Sequence, residues 1–268
     1  MPLRETVRDI LIKRFGEMAW SLEKGTEPDQ LKEFIRSLHP VETGSKLVRM
    51  GGKGDGGYLI PDDLEGLTAC FSPGVGLLSN FELECANLGM DVYMADGTVE
   101  GPATRHEKFH FIKKFIGPLD TDDTISMETW FNNSMAGKTG DSILQMDIEF
   151  SEFLVLFSMP QSLLRRFRII TVEFHELQKL FSLDFFNLSK TIFDKLMVDF
   201  HIVHIHPNNC CGTEKRMGIE VPKALEFTFY RKDRAEATSY ATTFPHPLDE
   251  DCTPGPTMVL PSSWYRKK

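Results

Sequence analysis

The chain has 268 residues, 41% of them hydrophobic, which is enough to bury one large α/β core with a small addition but not a second full domain. Its 39 acidic residues outnumber 30 Lys and Arg, and the net charge of -9 argues against a broad basic surface for a nucleic-acid backbone. It contains no apolar stretch of about 18 residues and no leader pattern of charged, apolar and small residues, so the expectation is a soluble cytoplasmic protein without membrane contact.

Residues 3–38 read as two amphipathic helices. Leu3, Val7, Ile10, Leu11 and Met18 mark the apolar face of the first, and a capping box beginning at Thr26, with Pro28 in the first turn, opens the second. The run KLVRMGGKGDGGYLIP then meets five glycines before Tyr58, so the backbone turns sharply or approaches something closely; a hairpin and a ligand loop fit it equally. LTACFSPGVG is a strand running into a glycine turn, and a second capping box at Ser79 and Glu82 opens a helix that stops at Gly89. DVYMADGT is a second strand, ending on Asp96, and FHFIKKFIG a third.

Three further apolar runs end in clusters of proton- or metal-handling side chains. SILQMDIE ends on Asp147 and Glu149, RIITVEFHE on Glu173, His175 and Glu176, and HIVHIHPNN on His204, His206, Asn208 and Asn209. They supply strands four to six, with helices near 151–158 and 182–199, and ALEFTFYRK, with Leu225, Phe227 and Phe229 on one face, supplies the last. A proline-rich tail over 244–264 reads as irregular. Strands alternating with helices predict an α/β fold with a doubly wound, mostly parallel, seven-stranded sheet. The expected division is a helical extension over 1–45, the main domain over 46–232 and a tail over 233–268 packed on that domain.

In an open α/β sheet the ligand crevice lies beyond the carboxyl ends of the strands, so the polar strand ends predict one shared site. Residues two apart on a strand share a face, which pairs Asp147 with Glu149, Glu173 with His175 and His204 with His206. Mixed oxygen and nitrogen ligands suit manganese, iron or zinc, and an oxygen-only subset suits magnesium. The same groups equally suit hydrogen bonds that lock strand-end loops, with His204, among Ile202, Val203 and Ile205, a satisfied core residue. The five cysteines, Cys70, Cys85, Cys210, Cys211 and Cys252, lack CxxC spacing and read mostly as buried, reduced thiols; Cys210 and Cys211 follow the histidine-rich strand, where one offers a candidate ligand.

FSPGVGLLSNFELECANLGMDVYMADGT, followed by DSILQMDIEFSEFLVL and IITVEFHEL, resembles the FkbM-type S-adenosylmethionine-dependent methyltransferases, a Class I Rossmann-like group that largely methylates hydroxyl oxygens. RMGGKGDGGYLIP and HIHPNN are similar to relatives grouped around the same domain, and the resemblance spans 46–232. It implies S-adenosylmethionine as cofactor, with Phe71, Ser72, Gly74 and Gly76 approaching its methionine part, Asp96 accepting hydrogen bonds from the ribose, and Gly97 leaving room beside it. Glu82 is a further cofactor candidate with a competing capping role. An acid about 20 residues after a glycine turn is the spacing a nucleoside site needs. Asp55 and Tyr58 are expected to form part of a lid, Asp55 meeting the cofactor amine and Tyr58 covering an apolar surface. The chain departs from the family pattern at Phe150, where a glycine usually follows the acid pair, and at Pro73 in the glycine turn.

Methyl transfer from a sulfonium is an in-line displacement that depends on alignment, and a hydroxyl acceptor must also lose its proton. Asp147, Glu149 and His175 are the expected catalytic groups, and Asp147, Glu173, His175, His206 and Asn208 the expected ligands if a divalent metal assists. The resemblance implies a small-molecule or glycan acceptor. Two readings compete: a metal-dependent oxygenase or hydrolase built on a β-barrel, which the helical connections oppose, and a binding protein that keeps the cofactor fold without turnover.

Overall fold

An eight-residue run such as FRIITVEF, buried along its whole length, belongs in a sheet covered on both faces, as a parallel strand flanked by helices is. The computed structural model, which describes residues 23–267, builds that sheet from β1 (Leu67–Pro73), β2 (Asp91–Ala95), β3 (Phe109–Ile112), β4 (Asp141–Met146), β5 (Phe167–Phe174), β6 (Phe200–Pro207) and β7 (Leu225–Arg231). Their spatial order is β6-β7-β5-β4-β1-β2-β3. Neighbours pair in parallel except at β7, which runs antiparallel to both β5 and β6. The chain enters at the centre with β1, steps outward to β3 and returns to β4 on the other side of β1. That reversal is the topological switch point of a doubly wound, Rossmann-like sheet, and the crevice opens at the carboxyl ends of β1 and β4. An open sheet of this kind is not a β-barrel.

The helices are α1 (Pro28–Ser37), α2 (Asn80–Asn87), α3 (Met127–Ser134), α4 (Glu152–Ser158), α5 (Gln161–Leu164) and α6 (Leu183–Asp199). The helix expected before α1, with Leu3, Val7, Ile10, Leu11 and Met18 on its apolar face, lies outside the described residues. Alternate strand residues feed two cores. Phe71, Leu144, Val172 and Phe227 face a layer that includes α1, α3, α4 and α6, while Cys70, Val92, Ile143 and Ile169 face α2 and a hairpin formed by Leu47–Met50 and Tyr58–Pro61. Among the described residues no helix is long and apolar enough to cross a membrane.

Local expectations fail where tertiary partners compete. Neither capping box forms: the Thr26 hydroxyl donates to the Leu180 carbonyl at 2.7 Å, and the Ser79 hydroxyl oxygen accepts the Ala103 N–H at 3.2 Å. The run FHFIKKFIG divides. Phe109–Ile112 joins the sheet as β3, but Phe115–Gly117 pairs in parallel with Thr124–Ser126, because the lysines between them stay near the surface, Lys113 paired with Glu100. Cys210 and Cys211 are joined by a disulfide, so neither offers a thiolate, while Cys70 and Cys85 are free and buried.

At the edge of the sheet opposite the crevice, Asp141 accepts from the Arg231 guanidinium at 2.8 and 2.9 Å and from Arg168 Nε at 3.1 Å. Arg168 also reaches the Asp63 and Glu65 carbonyls at 2.9 and 2.7 Å. Asp141→Ala removes one of two carboxylates from each guanidinium, Arg168 keeping Asp63 and Arg231 keeping Asp233, with an expected loss of about 1.5–3 kcal/mol in urea denaturation. A loss below about 1 kcal/mol would mean that solvent replaces the network.

Candidate active site

The geometry at the switch point starts from one glycine. Gly74, directly after β1, takes φ +84°, and a Cβ built on it would fall onto the Asp147 carbonyl, so only glycine lets this turn cross the end of β4. The Gly74 N–H donates to the Ala95 carbonyl at 3.0 Å and the Asp147 N–H to the Pro73 carbonyl at 3.3 Å, which ties the turn to β2 and β4. Above it opens a cavity of about 870 Å³. Gly74, Gly76 and Asp96 line it centrally, Asp55 and Tyr58 enter from the hairpin, and Phe115 and Ile116 close the side beyond β2.

Asp96 Oδ2 accepts the Gly76 N–H at 3.0 Å, and Oδ1 accepts the Thr98 N–H and hydroxyl at 2.7 and 2.6 Å. Burial pushes its carboxyl up, but the Thr98 hydroxyl and the N–H groups of Gly76, Thr98 and Val75 outweigh it and hold the group below its ordinary range. A carboxylate so placed keeps lone pairs for a ligand's hydroxyls. Gly97 has a different reason to be glycine: a Cβ would come within 2.5 Å of the Phe115 ring, which forms part of the cavity wall. Glu82 turns its buried carboxylate to the Ser72 hydroxyl, and Ser72 Oγ lies 2.7 Å from Gln145 Oε1. Of the residues assigned to the cofactor, Asp55, Tyr58, Gly74, Gly76, Glu82 and Asp96 line the cavity. Phe71, Ser72 and Gly97 do not, and Phe71 is enclosed between Tyr93 and Phe131 with ring centroids 4.9 and 4.8 Å away. Tyr58 is buried in a paired strand; the exposed part of the expected lid is the hairpin loop that carries Asp55.

β4 ends at Met146, so Asp147 and Glu149 meet in a turn and not on one strand face. Glu149 and Phe150 both take left-handed φ, 52° and 80°. A Phe in that conformation is strained, and here the ring is held by stacking on Phe185 at 5.9 Å and by Lys179 Nζ, 3.9 Å from its centroid. Glu152, fully buried, fixes the turn by accepting the N–H groups of Ile148 and Phe150 at 3.3 and 3.1 Å, and its Oε1 lies 2.8 Å from His175 Nδ1. His175 thereby presents Nε2 to Glu173 at 3.5 Å, Glu149 at 3.7 Å and Asp147 at 3.8 Å. Burial opposes the His175 charge, but Glu152, followed by Glu173 and Asp147, raises it to about 9. Asp147 moves up to about 7, chiefly through burial and then the carboxylates of Glu149, Glu152 and Asp55, against the pull of His175. Its Oδ1 is buried without a hydrogen-bond partner.

Of the six side chains expected to converge, Asp147, Glu149, Glu173 and His175 do so. Asn208 joins only through Glu173, donating its amide to Oε1 at 2.8 Å. His206 stands apart, grouped with His204 and with Asp249 from the tail. The expected metal set is therefore divided between two places: ligand atoms of Asp147, Glu149 and His175 lie within 4.8 Å of one another, and so do those of His204, His206 and Asp249. Sequence reasoning missed Gln145 and Glu226, both buried on strands; the available signal was a polar residue inside an otherwise apolar run.

No family model and no curated protein matches the chain. Solved structures do match. A protein described as a hemolysin, from Streptococcus thermophilus, is 8% identical over 61% of this chain and 58% of its own, with a TM-score of 0.38. One described as an RNA methyltransferase, from Pyrococcus horikoshii, is 11% identical over 63% and 76%, with a TM-score of 0.33. A variant of a 16S rRNA adenine N1-methyltransferase from Catenulisporales acidiphilia is 9% identical over 72% and 99%, with a TM-score of 0.34. The chain thus spans 58% of the length of the hemolysin. Likeness of this degree transfers no function.

His175 carries the clearest electrostatic prediction. Its folded value of about 9 lies above the ordinary 6.5, so its stabilising contribution is fully present below pH 6.5 and is lost as the pH rises through about 9. Imidazole NMR is expected to find it protonated at pH 7.5, and a midpoint below 7 would contradict the arrangement.

Proposed function

We propose that the chain is an S-adenosylmethionine-dependent methyltransferase that acts on a hydroxyl oxygen of a neutral small molecule or glycan. The observation that carries this reading is a single cavity at the switch point that joins a nucleoside-type half, the glycine turn with Asp96, to a proton-handling half, Asp147 beside His175. Five carboxylates, Asp55, Glu82, Asp96, Asp147 and Glu149, line it, and among the described residues no Lys or Arg does. That field favours a ligand carrying a sulfonium and an ammonium and disfavours an acceptor with phosphate or carboxylate groups. It supports a neutral hydroxyl acceptor over nucleic acid. Leu77, Leu78 and Leu154, exposed among the lining residues, suit the less polar part of such an acceptor.

When bound, S-adenosylmethionine would supply the methyl group on a positively charged sulfur. In this reading Asp96 holds the ribose, Phe115 and Ile116 pack against the adenine, and Asp55 meets the amine. Asp147, ionising at about 7, takes the acceptor's proton, since a base is most effective near the working pH. His175 has another task than the base role expected of it: a group protonated up to about 9 cannot accept a proton at neutral pH, and it balances the charge of the acids around it. A second reading rests on the close approach of Asp147, Glu149 and His175 ligand atoms, which would hold a divalent cation and so acidify and orient the hydroxyl.

Asp96→Ala is expected to weaken S-adenosylhomocysteine binding by about 1.5–3 kcal/mol in calorimetry, through loss of two charge-assisted hydrogen bonds. A folded wild-type protein that binds none ends the proposal. Asp147→Asn is expected to lower turnover on a panel of sugars and small alcohols by about 10²–10⁴-fold while cofactor affinity persists. The rate should rise with pH through about 7 and fall through about 9, and be insensitive to chelators. Loss of turnover on chelation, with the fold intact, would select the cation reading instead.

A further inference from the structure

We propose that His204, His206 and Asp249 form a second, separate metal site, for zinc or ferrous iron, that fastens the C-terminal tail to the sheet. The site is independent of the methyl-transfer reading. An irregularity in the pairing of β6 with β7 between Ile202 and His204 sets His204 opposite Thr228 and His206 opposite Glu226, so both imidazoles lie on one face of the strand. Thr228 donates to the Leu59 carbonyl at 2.6 Å, which identifies that face as the one the hairpin covers. Asp249 comes from a stretch 45 residues away in sequence. A tight turn holds it: its Oδ2 accepts the His246 N–H at 2.7 Å, and its own N–H donates to the His246 carbonyl at 2.9 Å.

The ligand atoms already stand at coordination spacing. His204 Nε2 is 2.8 Å from Asp249 Oδ1, a hydrogen bond that a cation would replace, and His206 Nδ1 is 3.5 Å from Asp249 Oδ2. Ligands about 2.0–2.1 Å from a tetrahedral cation lie about 3.3 Å apart, between those two values. His206 supplies the independent observation. It is 5% exposed, yet Nε2 has no hydrogen-bond partner and Nδ1 has only the long, poorly formed approach to Asp249, a costly arrangement for a buried imidazole unless a lone pair goes to a ligand. Glu226, buried across the ladder from His206, accepts the Cys252 thiol at 3.3 Å and places another carboxylate beside the cluster to offset a cation's charge. Two histidines and a carboxylate are a set that zinc and ferrous iron both accept.

The test uses the full chain, stripped with a chelator and reloaded with zinc or, anaerobically, with ferrous iron. Elemental analysis is expected to find about one equivalent in a protein carrying both Asp147→Asn and His175→Gln, and below about a tenth of an equivalent in His206→Gln and in Asp249→Asn. Reloading should raise the melting temperature of the wild type and slow proteolysis of residues 240–267, and do neither in Asp249→Asn. Asp249→Asn, in the tail, keeps the test decisive if His206→Gln fails to fold. Folded wild type that takes up neither metal overturns the proposal. So does metal that survives Asp249→Asn and His206→Gln but leaves with Asp147→Asn and His175→Gln, which would place it in the other cluster.

Discussion

Two backbone segments cross at Gly74 and Asp147 with no room for a side chain between them, and the candidate site is arranged around that crossing. On one side the chain turns into α2, and the Gly76 N–H reaches back to Asp96. On the other it leaves β4 through the left-handed residues Glu149 and Phe150, a path that Glu152 holds by accepting two N–H groups from inside the turn. The same Glu152 oxygen meets the His175 imidazole, so the residue that shapes the turn also aims the ring at Asp147. A larger residue at 74 would separate the nucleoside half of the cavity from the proton-handling half.

The two faces of the sheet serve different ends. One is apolar through Phe71, Leu144, Val172 and Phe227 and packs against helices. The other carries Ser72, Gln145, Thr171, Glu173, Glu226, Thr228, His204 and His206, all buried. Tyr58 and Leu59 of the hairpin cover part of it, with Gln145 Nε2 3.3 Å from the Tyr58 hydroxyl. Burying so many acids raises Glu173 and Asp147 and moves Glu226 to about 7, in each case chiefly through burial. Positive charge on His175 partly offsets this in the first cluster, and Asp249 is held well below its usual range, against its burial, by its contacts with the His204 and His206 imidazoles. The hairpin is thus the roof of a polar layer.

The architecture was legible because it depends on period and length. Apolar runs ending in acids and histidines gave the strand ends of β4 to β6, and the acid about 20 residues beyond the glycine turn pointed to Asp96. What depended on tertiary competition was not. The hydroxyls of Thr26 and Ser79 fit a capping pattern but bond across the fold, and β4 ends before Asp147, where the Gly74 turn crosses it. The pattern at Gly74 predicts a close backbone approach, and the nearest partner is the Asp147 backbone, with the cavity beside it. The strand-end pattern places His206 with Asp147 and Glu173, but its nearest carboxylate, Asp249, lies in an irregular tail whose placement no local pattern encodes. Glu226 and Gln145 do not stand out because strand periodicity marks faces without saying which face is polar.

The central claim is that the glycine turn and the acid turn face one ligand. A structure determined with S-adenosylhomocysteine tests it most directly. The account predicts ribose hydroxyls on Asp96, the adenine against Ile116 and Phe115, and the sulfur facing Asp147 and Glu149. A ligand bound elsewhere, or one with its sulfur turned away from Asp147, would contradict it.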